Sequence, residues 1–399
     1  MTALALAVSL VATAIAASAP PVVAGGAPID GATTGDDLAI TLVTFGPGDD
    51  ITEWFGHSAI IVEDRARHVE HMYNYGEFAF DASTIPRYVL GHLTFHVGEG
   101  NVERTVARYR ALNRSITFQE LALTPEQRLG VANFLANNVK PENRNYLYDH
   151  YVDNCATKPR DIIDRFSNHA LSSRSKPGRM TLRGHTRRHV HGVLGVLIDF
   201  AENGSIDHPI TTWQEAFLPA ELEQQVRDAG IVVKETQVFT AKRAPTPADP
   251  PALWIALLLL GTVVAAFAVA AAIGNRRRAL AASSLVVSIV LGIPGTLAAL
   301  LWMVTEHQVT HANANLLSSN PVTLLCAIPS FVVLFARPSK MPERSLRLLT
   351  TTWLVLALLA LTVTIASATG IVAQDVLQWS AFAVPMLLGQ AIGFRLLRR

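Results

Sequence analysis

The second half of the chain is dominated by apolar runs long enough to cross a lipid bilayer. A spanning helix needs about 20 consecutive apolar residues. Candidate runs after Pro251 lie at residues 253–273, 280–304, 322–336, 348–368 and 376–394. The third run is short and is compatible with a segment that dips into the bilayer. The sequence therefore predicts a transmembrane domain of about five helices over residues 252–399.

The loops between these runs differ in charge, which predicts their orientation. Arginines cluster at 276–278, in the loop 337–347 and at the C-terminus. The loops 305–321 and 369–375 contain no lysine or arginine. Because basic loops remain in the cytoplasm, the loop 305–321 and the polar first half of the chain are expected on the outer side of the membrane.

The N-terminus independently predicts export. Residues 1–24 are almost wholly apolar and small, and Ala17-Ser18-Ala19 fits a cleavage site, although a basic n-region is missing. We interpret 1–24 as a signal peptide or an uncleaved N-terminal anchor. Residues 25–240 then form an extracytoplasmic domain, and 241–251 form a Pro-rich linker. The formal net charge of +1 gives no indication of a nucleic-acid partner.

Strand and helix patterns alternate in the exported part, which predicts an α+β domain. Strand-like segments lie at 38–45, 53–62, 69–75 and 92–97. Residues 102–113 are typical of an amphipathic helix. Thr124, Pro125 and Gln127 supply the N-cap, the first-turn proline and the capping-box residue of another helix.

Cys155 is one of only two cysteines in the chain. The other, Cys326, lies in an apolar run and is expected to be a packing residue. Because the exported domain has no second cysteine, it cannot form an internal disulfide, so Cys155 is a possible reactive thiol. A helical pattern follows it, and a thiol at a helix start is favoured as the thiolate. Lys158 and Arg160 are expected to act in the same direction, whereas the plainer alternative is a small buried side chain.

His57 is the best candidate for the base that a cysteine nucleophile needs. It follows Gly56 near the start of a predicted strand. A histidine on a strand followed by a cysteine on a helix is the reverse of the papain order. It resembles the circularly permuted NlpC/P60 (papain-like) fold, in which a third polar group comes from the next strand. His71, Tyr73 and Asn74 lie in that region, and Asn74 is preferred.

A basic, histidine-rich stretch at 174–191 has two interpretations, a solvated loop or a surface for anionic lipid headgroups. His185 and His189 have the i, i+4 spacing of a metal pair. No HExxH motif or cysteine ligand accompanies them, so no metal site is predicted. No cofactor is expected.

Several motifs together resemble the Lnb-type lipoprotein N-acyltransferase family from about Asp37 onward. The motifs are Gly46-Pro47-Gly48-Asp49, Phe55-Gly56-His57-Ser58, Tyr73-Asn74-Tyr75-Gly76-Glu77-Phe78, Pro141-Glu142-Asn143-Arg144, Asp153-Asn154-Cys155-Ala156-Thr157, Asp207-His208-Pro209-Ile210-Thr211, Phe217-Leu218-Pro219, Glu306-His307 and Asn313-Ala314-Asn315-Leu316-Leu317. The resemblance implies a bacterial inner-membrane enzyme with its catalytic domain in the periplasm. It would move a fatty acyl chain from a phospholipid, through a cysteine thioester, to the α-amine of a lipoprotein.

Within this interpretation Cys155, His57 and Asn74 are the expected catalytic residues. His307, Asn313 and Asn315 in the outer loop are candidate substrate-binding residues, and ordinary loop polarity with helix caps is their alternative explanation. Two other functions are compatible with the residues. One is a cell-envelope Cys-His hydrolase, a peptidase or amidase, and the other is a non-enzymatic envelope-binding protein.

Overall fold

A computed structural model describes residues 34–78, 81–337 and 342–398. The predicted signal peptide or anchor, 1–24, lies outside these residues. The chain divides into two compact units. The first, called the sheet unit, contains the described residues up to His185 and Pro209–Ala248. The second, the helical unit, contains Thr186–His208 and the residues from Asp249 onward.

The sheet unit is built on a seven-stranded sheet of antiparallel pairs. In sheet order the strands are β6-β4-β3-β2-β1-β5-β7. Their bounds are β1 Leu38–Phe45, β2 His57–Asp64, β3 Val69–Glu77, β4 Thr94–Gly100, β5 Ile116–Leu121, β6 Asn145–Leu147 and β7 Val232–Phe239. Apolar residues on both faces of β1 and β2 place these two strands inside the core.

The second strand begins later than the sequence pattern predicts, at His57 instead of residue 53. Residues 51–55 form a turn, in which the Gly56 N–H donates to the Glu53 carbonyl at 3.0 Å. Gly56 has φ +84°, and a β-carbon there would lie 2.8 Å from the Phe45 carbonyl oxygen. Glycine avoids both the strain and the clash. His57 is consequently the first residue of its strand.

Helices cover the two faces of the sheet. The sheet unit contains the helices α1 Thr84–Leu90, α2 Val102–Ala111, α3 Pro125–Asn138, α4 Thr157–Phe166, α7 Thr212–Glu215 and α8 Pro219–Asp228. The helix α5 Leu182–His189 begins in the sheet unit, and its last four residues belong to the helical unit. Side chains of α3, α4 and α8 pack with Ile60, Val62 and Tyr73 on one face. Side chains of α2 pack with Ala59, Ile61 and Met72 on the other.

The basic stretch 174–191, interpreted from the sequence as a solvated loop or a surface for anionic lipid headgroups, contains the helix α5. His185 is fully buried, and its Nε2 lies 2.8 Å from Glu215 Oε1. The backbone N–H groups of Arg179 and Met180 donate to the same carboxylate. The described residues contain no cluster of three or more His, Cys, Asp or Glu side chains that could hold a metal ion. The stretch is therefore structured by a buried ion pair.

Among its described residues, the helical unit contains four helices long and apolar enough to cross a membrane, or five if one bent pair forms a single span. The four are α9 Leu253–Ile273, α10 Arg277–Val304, α13 Glu343–Ala368 and α14 Leu377–Leu397. The bent pair joins 308–317 to 321–335 at an angle of 50° and includes α11 Pro321–Leu325 and α12 Ala327–Phe335. The short third apolar run is covered by these two short helices, and the bend that precedes it is compatible with a broken span or a re-entrant segment. The remaining helix, α6 Gly192–Ala201, also belongs to this unit.

Polar side chains connect the apolar helices. Ser284 Oγ lies 2.7 Å from Ser330 Oγ and accepts from Trp353 Nε1 at 3.0 Å. Gln390 Nε2 donates to Ser283 Oγ at 2.8 Å. Hydrogen bonds between helices hold membrane bundles together where apolar burial alone cannot. An α+β domain followed by a helical membrane region, as the sequence predicts, is confirmed.

Candidate active site

Cys155 lies in the turn that leads into α4, and Asn154 fixes that turn. The Asn154 amide oxygen accepts a hydrogen bond from the Ala156 N–H at 2.7 Å. Its Nδ2 donates to the carbonyls of His150 at 2.6 Å and Phe217 at 3.0 Å. The side chain therefore satisfies a free N–H of the helix start and ties the turn to two neighbouring segments. This arrangement holds the thiol at a defined position.

His57 lies at the start of β2, with Asn74 of β3 beside its ring. His57 Nε2 is 3.3 Å from Asn74 Oδ1. Because an amide oxygen can only accept, Nε2 carries the imidazole proton and Nδ1 is the basic nitrogen. The ring stacks near Phe45 and Tyr109, with centroid distances of 6.0 and 6.2 Å. Asn74 and the two aromatic rings together orient the imidazole.

The structure brings Cys155 to the same end of the sheet. The backbone N–H of Ser58, the residue after His57, is close enough to the Cys155 thiol to act on its pKa, which it lowers. A β-carbon at Gly76, two residues after Asn74, would lie 3.5 Å from the Cys155 β-carbon, and Gly76 has φ +96°. The turn that carries Cys155 thus lies close to the start of β2, at His57, and to the bulge between Tyr75 and Glu77 that follows Asn74.

The other two candidates for the third polar group lie elsewhere. His71 forms an ion pair with Glu99 of β4. Tyr73 is fully buried among the residues that α3 and α4 cover. Along β3, residues 72 and 74 share one face and 73 and 75 the other. Of the three candidates, Asn74 is the one that the structure places against His57.

Burial keeps both reactive groups neutral. It raises the pKa of the Cys155 thiol to about 11, although the N–H groups of Ser58 and Cys155 and the charge of Arg114 act in the opposite direction. Burial and then the Arg114 charge lower the pKa of His57 to about 4, against a smaller rise from its Asn74 hydrogen bond. At neutral pH Cys155 is therefore a thiol and His57 a neutral imidazole.

The expected effect of Lys158 and Arg160 on the thiol is not seen. Lys158 Nζ pairs with Asp153 at 2.5 Å. Arg160 pairs with Asp161 at 2.7 Å, and its guanidinium lies 4.0 Å from the Trp213 ring centroid. Neither cation is among the causes that shift the thiol pKa. The positive charge that lowers the thiol pKa belongs instead to Arg114.

Arg114 is the site residue that the sequence did not reveal. It follows α2 and is almost fully buried. Its Nη1 lies 3.2 Å from Glu53 Oε1, and its Nε donates to the Gly46 carbonyl at 2.7 Å. The guanidinium lies 4.6 Å from the centroid of Tyr109, the ring that stacks beside His57. No sequence motif marks Arg114, because its contacts come from distant segments.

Replacing Arg114 by glutamine is expected to raise the pKa of the Cys155 thiol further. The arginine charge favours the thiolate, so its loss moves the pH dependence of thiol alkylation to higher pH. Arg114→Lys retains the charge and should remain close to the native profile. The measurement is the rate of Cys155 alkylation against pH in the full-length protein. Equal profiles for the native and Arg114→Gln proteins would contradict this account.

The outer-loop residues Asn313 and Asn315 are buried within the helical unit. Both Nδ2 groups donate to the Phe200 carbonyl, at 2.7 and 3.0 Å. Asn313 Oδ1 accepts from Gln374 Nε2 at 2.8 Å. His307 is half-buried. The two amides therefore hold the loop on α6, and His307 is the most accessible of the three predicted substrate-binding side chains.

Replacing Asn313 and Asn315 together by alanine is expected to lower the free energy of unfolding by about 1–3 kcal/mol. The double variant leaves the buried Phe200 carbonyl without either amide donor, and a buried unsatisfied group costs that amount. Thermal unfolding of the full chain in detergent measures the change. The exposed Gln308→Ala serves as the control. An unchanged melting temperature with weaker substrate binding would contradict a structural role.

The folds of the two units and the candidate active site indicate the class of protein to which the chain belongs. The sheet unit carries a cysteine at a helix start beside a histidine oriented by an asparagine, and the helical unit has membrane-spanning character. The model of the Lnb N-terminal periplasmic domain matches residues 28–188, and the model of the Lnb transmembrane domain matches residues 245–377. The chain belongs to the Lnb-type lipoprotein N-acyltransferase family and is a membrane protein with a periplasmic domain. No curated protein and no solved structure matches it significantly.

Proposed function

We propose that the protein transfers a fatty acyl chain from a phospholipid to the α-amine of a lipoprotein N-terminal cysteine. The observation that carries this proposal is the position of Cys155, whose β-carbon lies 3.5 Å from the β-carbon position of Gly76, two residues after the asparagine that contacts His57. The family supports acyl transfer. Both substrates carry fatty chains, which accounts for an enzyme domain joined to membrane helices. The bacterial inner membrane is the proposed location.

The first half-reaction acylates Cys155. His57 Nδ1 accepts the thiol proton as the sulfur attacks the phospholipid ester carbonyl. The N–H groups of Ser58 and Cys155, which favour the thiolate, are the proposed donors to the oxyanion that forms on the ester carbonyl oxygen. The tetrahedral intermediate collapses to a thioester, and the imidazolium returns its proton to the departing lysolipid oxygen. Asn74 keeps the ring in the required tautomer.

The second half-reaction transfers the acyl chain to the lipoprotein. The α-amine attacks the thioester carbonyl, and His57 removes the proton that the nitrogen loses. The new amide forms as the sulfur leaves and is protonated by the imidazolium, which regenerates the thiol. No step requires a metal or a cofactor. His307, Asn313 and Asn315 are proposed to serve substrate binding through the outer loop, the asparagines by holding its backbone.

Mass spectrometry of a lipoprotein N-terminus tests this proposal. A bacterium that makes the protein should carry an additional fatty amide on the N-terminal cysteine, and a strain lacking it should not. Restoring the gene should restore the modification, whereas the Cys155→Ala form should not. An identical N-terminus with and without the protein would contradict acyl transfer. Altered peptides of the cell envelope would instead support a Cys-His hydrolase.

A further inference from the structure

A pocket of about 320 Å³ adjoins the helix that follows Cys155. Lys158, Asp161, Ile162 and Arg165 of α4 form one side. Residues of β3, α3 and the segment around β6 form the rest, among them Tyr146 and Arg144. The pocket lies entirely within the sheet unit. Since the mechanism above uses none of its residues, its function is unassigned.

Tyr146 connects the pocket to the nucleophile. A β-carbon at Gly76 would lie 4.0 Å from Tyr146 Oη and 3.5 Å from the Cys155 β-carbon. Tyr146 Oη is buried and has no hydrogen-bond partner among the described residues. Lys158, at the pocket wall, is about one helical turn beyond Cys155. A substrate bound at the sulfur would therefore place neighbouring atoms next to this pocket.

The charge of the pocket favours an anion. Arg144 and Arg165 are exposed at its edge, and neither is paired with a carboxylate among the described residues. Lys158 lies over the Tyr146 ring at 4.7 Å, but its charge is already paired with Asp153, so the two arginines supply the unpaired positive charge. The one carboxylate of the lining, Asp161, is already paired with Arg160. Arginine side chains bind phosphate oxygens through paired N–H groups.

We propose that this pocket binds the phosphate of the acyl donor's headgroup. This proposal rests on the proposed function, in which the donor is a phospholipid. In a phospholipid the phosphate is only a few bonds from the ester carbonyl. A carbonyl at the Cys155 sulfur would therefore place the phosphate on the Tyr146 side of the pocket that the two arginines border. The α-ammonium group of the acceptor is a cation, which these arginines would repel. The charge thus assigns the pocket to the donor instead of the acceptor.

Thioester formation on Cys155 tests the pocket. The full-length protein in detergent is supplied with phosphatidylglycerol or with a diacylglycerol of the same chains, and intact mass follows the acyl adduct. Arg144→Gln with Arg165→Gln should raise KM for phosphatidylglycerol about tenfold, since it removes two charge-assisted contacts, and leave kcat within about twofold. The reaction with diacylglycerol should not change.

The control variants separate charge from structure. Arg144→Lys with Arg165→Lys should retain most of the phosphatidylglycerol affinity, and the exposed Arg104→Gln should behave as the native protein. Equal KM values in the native protein and the glutamine double variant would overturn the pocket assignment. A higher KM for the lipopeptide acceptor alone would overturn it in favour of the acceptor.

Two further outcomes are distinguishable. In the first, millimolar inorganic phosphate changes the rate of the native protein but not of the glutamine double variant, while both have the same KM for the lipid. This result would assign the pocket to free phosphate and overturn the headgroup assignment. Absence of any adduct on Cys155 of the native protein with either donor would contradict the proposed acyl transfer itself. If the adduct forms and the native protein and the glutamine double variant have equal KM values, only the assignment of the pocket to the headgroup is contradicted.

Discussion

Replacing Cys155 by alanine is expected to reduce acyl transfer by at least about three orders of magnitude, because it removes the covalent nucleophile. The thioester cannot form, so neither half-reaction can proceed through it. The measurement is the initial rate of lipopeptide N-acylation, together with the intact mass of the enzyme after exposure to phospholipid.

Cys326→Ala is the matched control for this prediction. Cys326 is the other cysteine of the chain and is buried among apolar side chains of the helical unit. Its replacement should leave the rate and the acyl adduct close to native. If the Cys155→Ala protein retained the acyl adduct while Cys326→Ala lost it, the nucleophile would be misassigned.

Replacing His57 by alanine is expected to slow both half-reactions, each by about 10²–10⁴-fold. The same imidazole accepts the thiol proton in the first half-reaction and the amine proton in the second. Single-turnover measurements with phospholipid alone, and then with lipopeptide added to the acylated enzyme, separate the two steps. The exposed His169→Gln is the matched control. Loss of only one half-reaction would show that another group provides the second proton transfer.

The pH profile gives an independent measure of His57. Its pKa is lowered to about 4, so the neutral, basic form is present above that value and is lost as the pH falls through it. Acyl transfer should therefore persist in mildly acidic buffer and decline only as the pH approaches about 4. A decline centred near the ordinary histidine pKa of about 6.5 would indicate a solvated imidazole.

The sequence predicts the parts of the site that depend on local pattern. Gly56 and the apolar residues after His57 predict a strand with histidine near its start, and the asparagine and helical pattern around Cys155 predict a thiol at a helix start. The alternation of β3 leaves His71, Tyr73 and Asn74 open. Only the paired strands show that Asn74 shares the His57 face.

The remaining features depend on contacts between distant segments. Arg114 reaches Glu53 and Gly46 across more than 60 residues. The buried pairing of His185 with Glu215 changes a basic stretch that looks solvated into a packed helix. The local sequence cannot reveal such distant partners, because the residues around a charged side chain look the same whether that side chain is solvated or paired.

Amine-dependent discharge of a fatty thioester tests the central claim most directly. The native protein is first incubated with phospholipid, and the acyl adduct on Cys155 is recorded by intact mass. A diacylated lipopeptide with a free α-amine is then added, and an N-blocked lipopeptide is the control. We expect rapid loss of the adduct with the free amine only, and an equal gain of acyl mass on the lipopeptide. Loss of the adduct to water at the same rate with either lipopeptide, or a peptidyl adduct on Cys155, would contradict it.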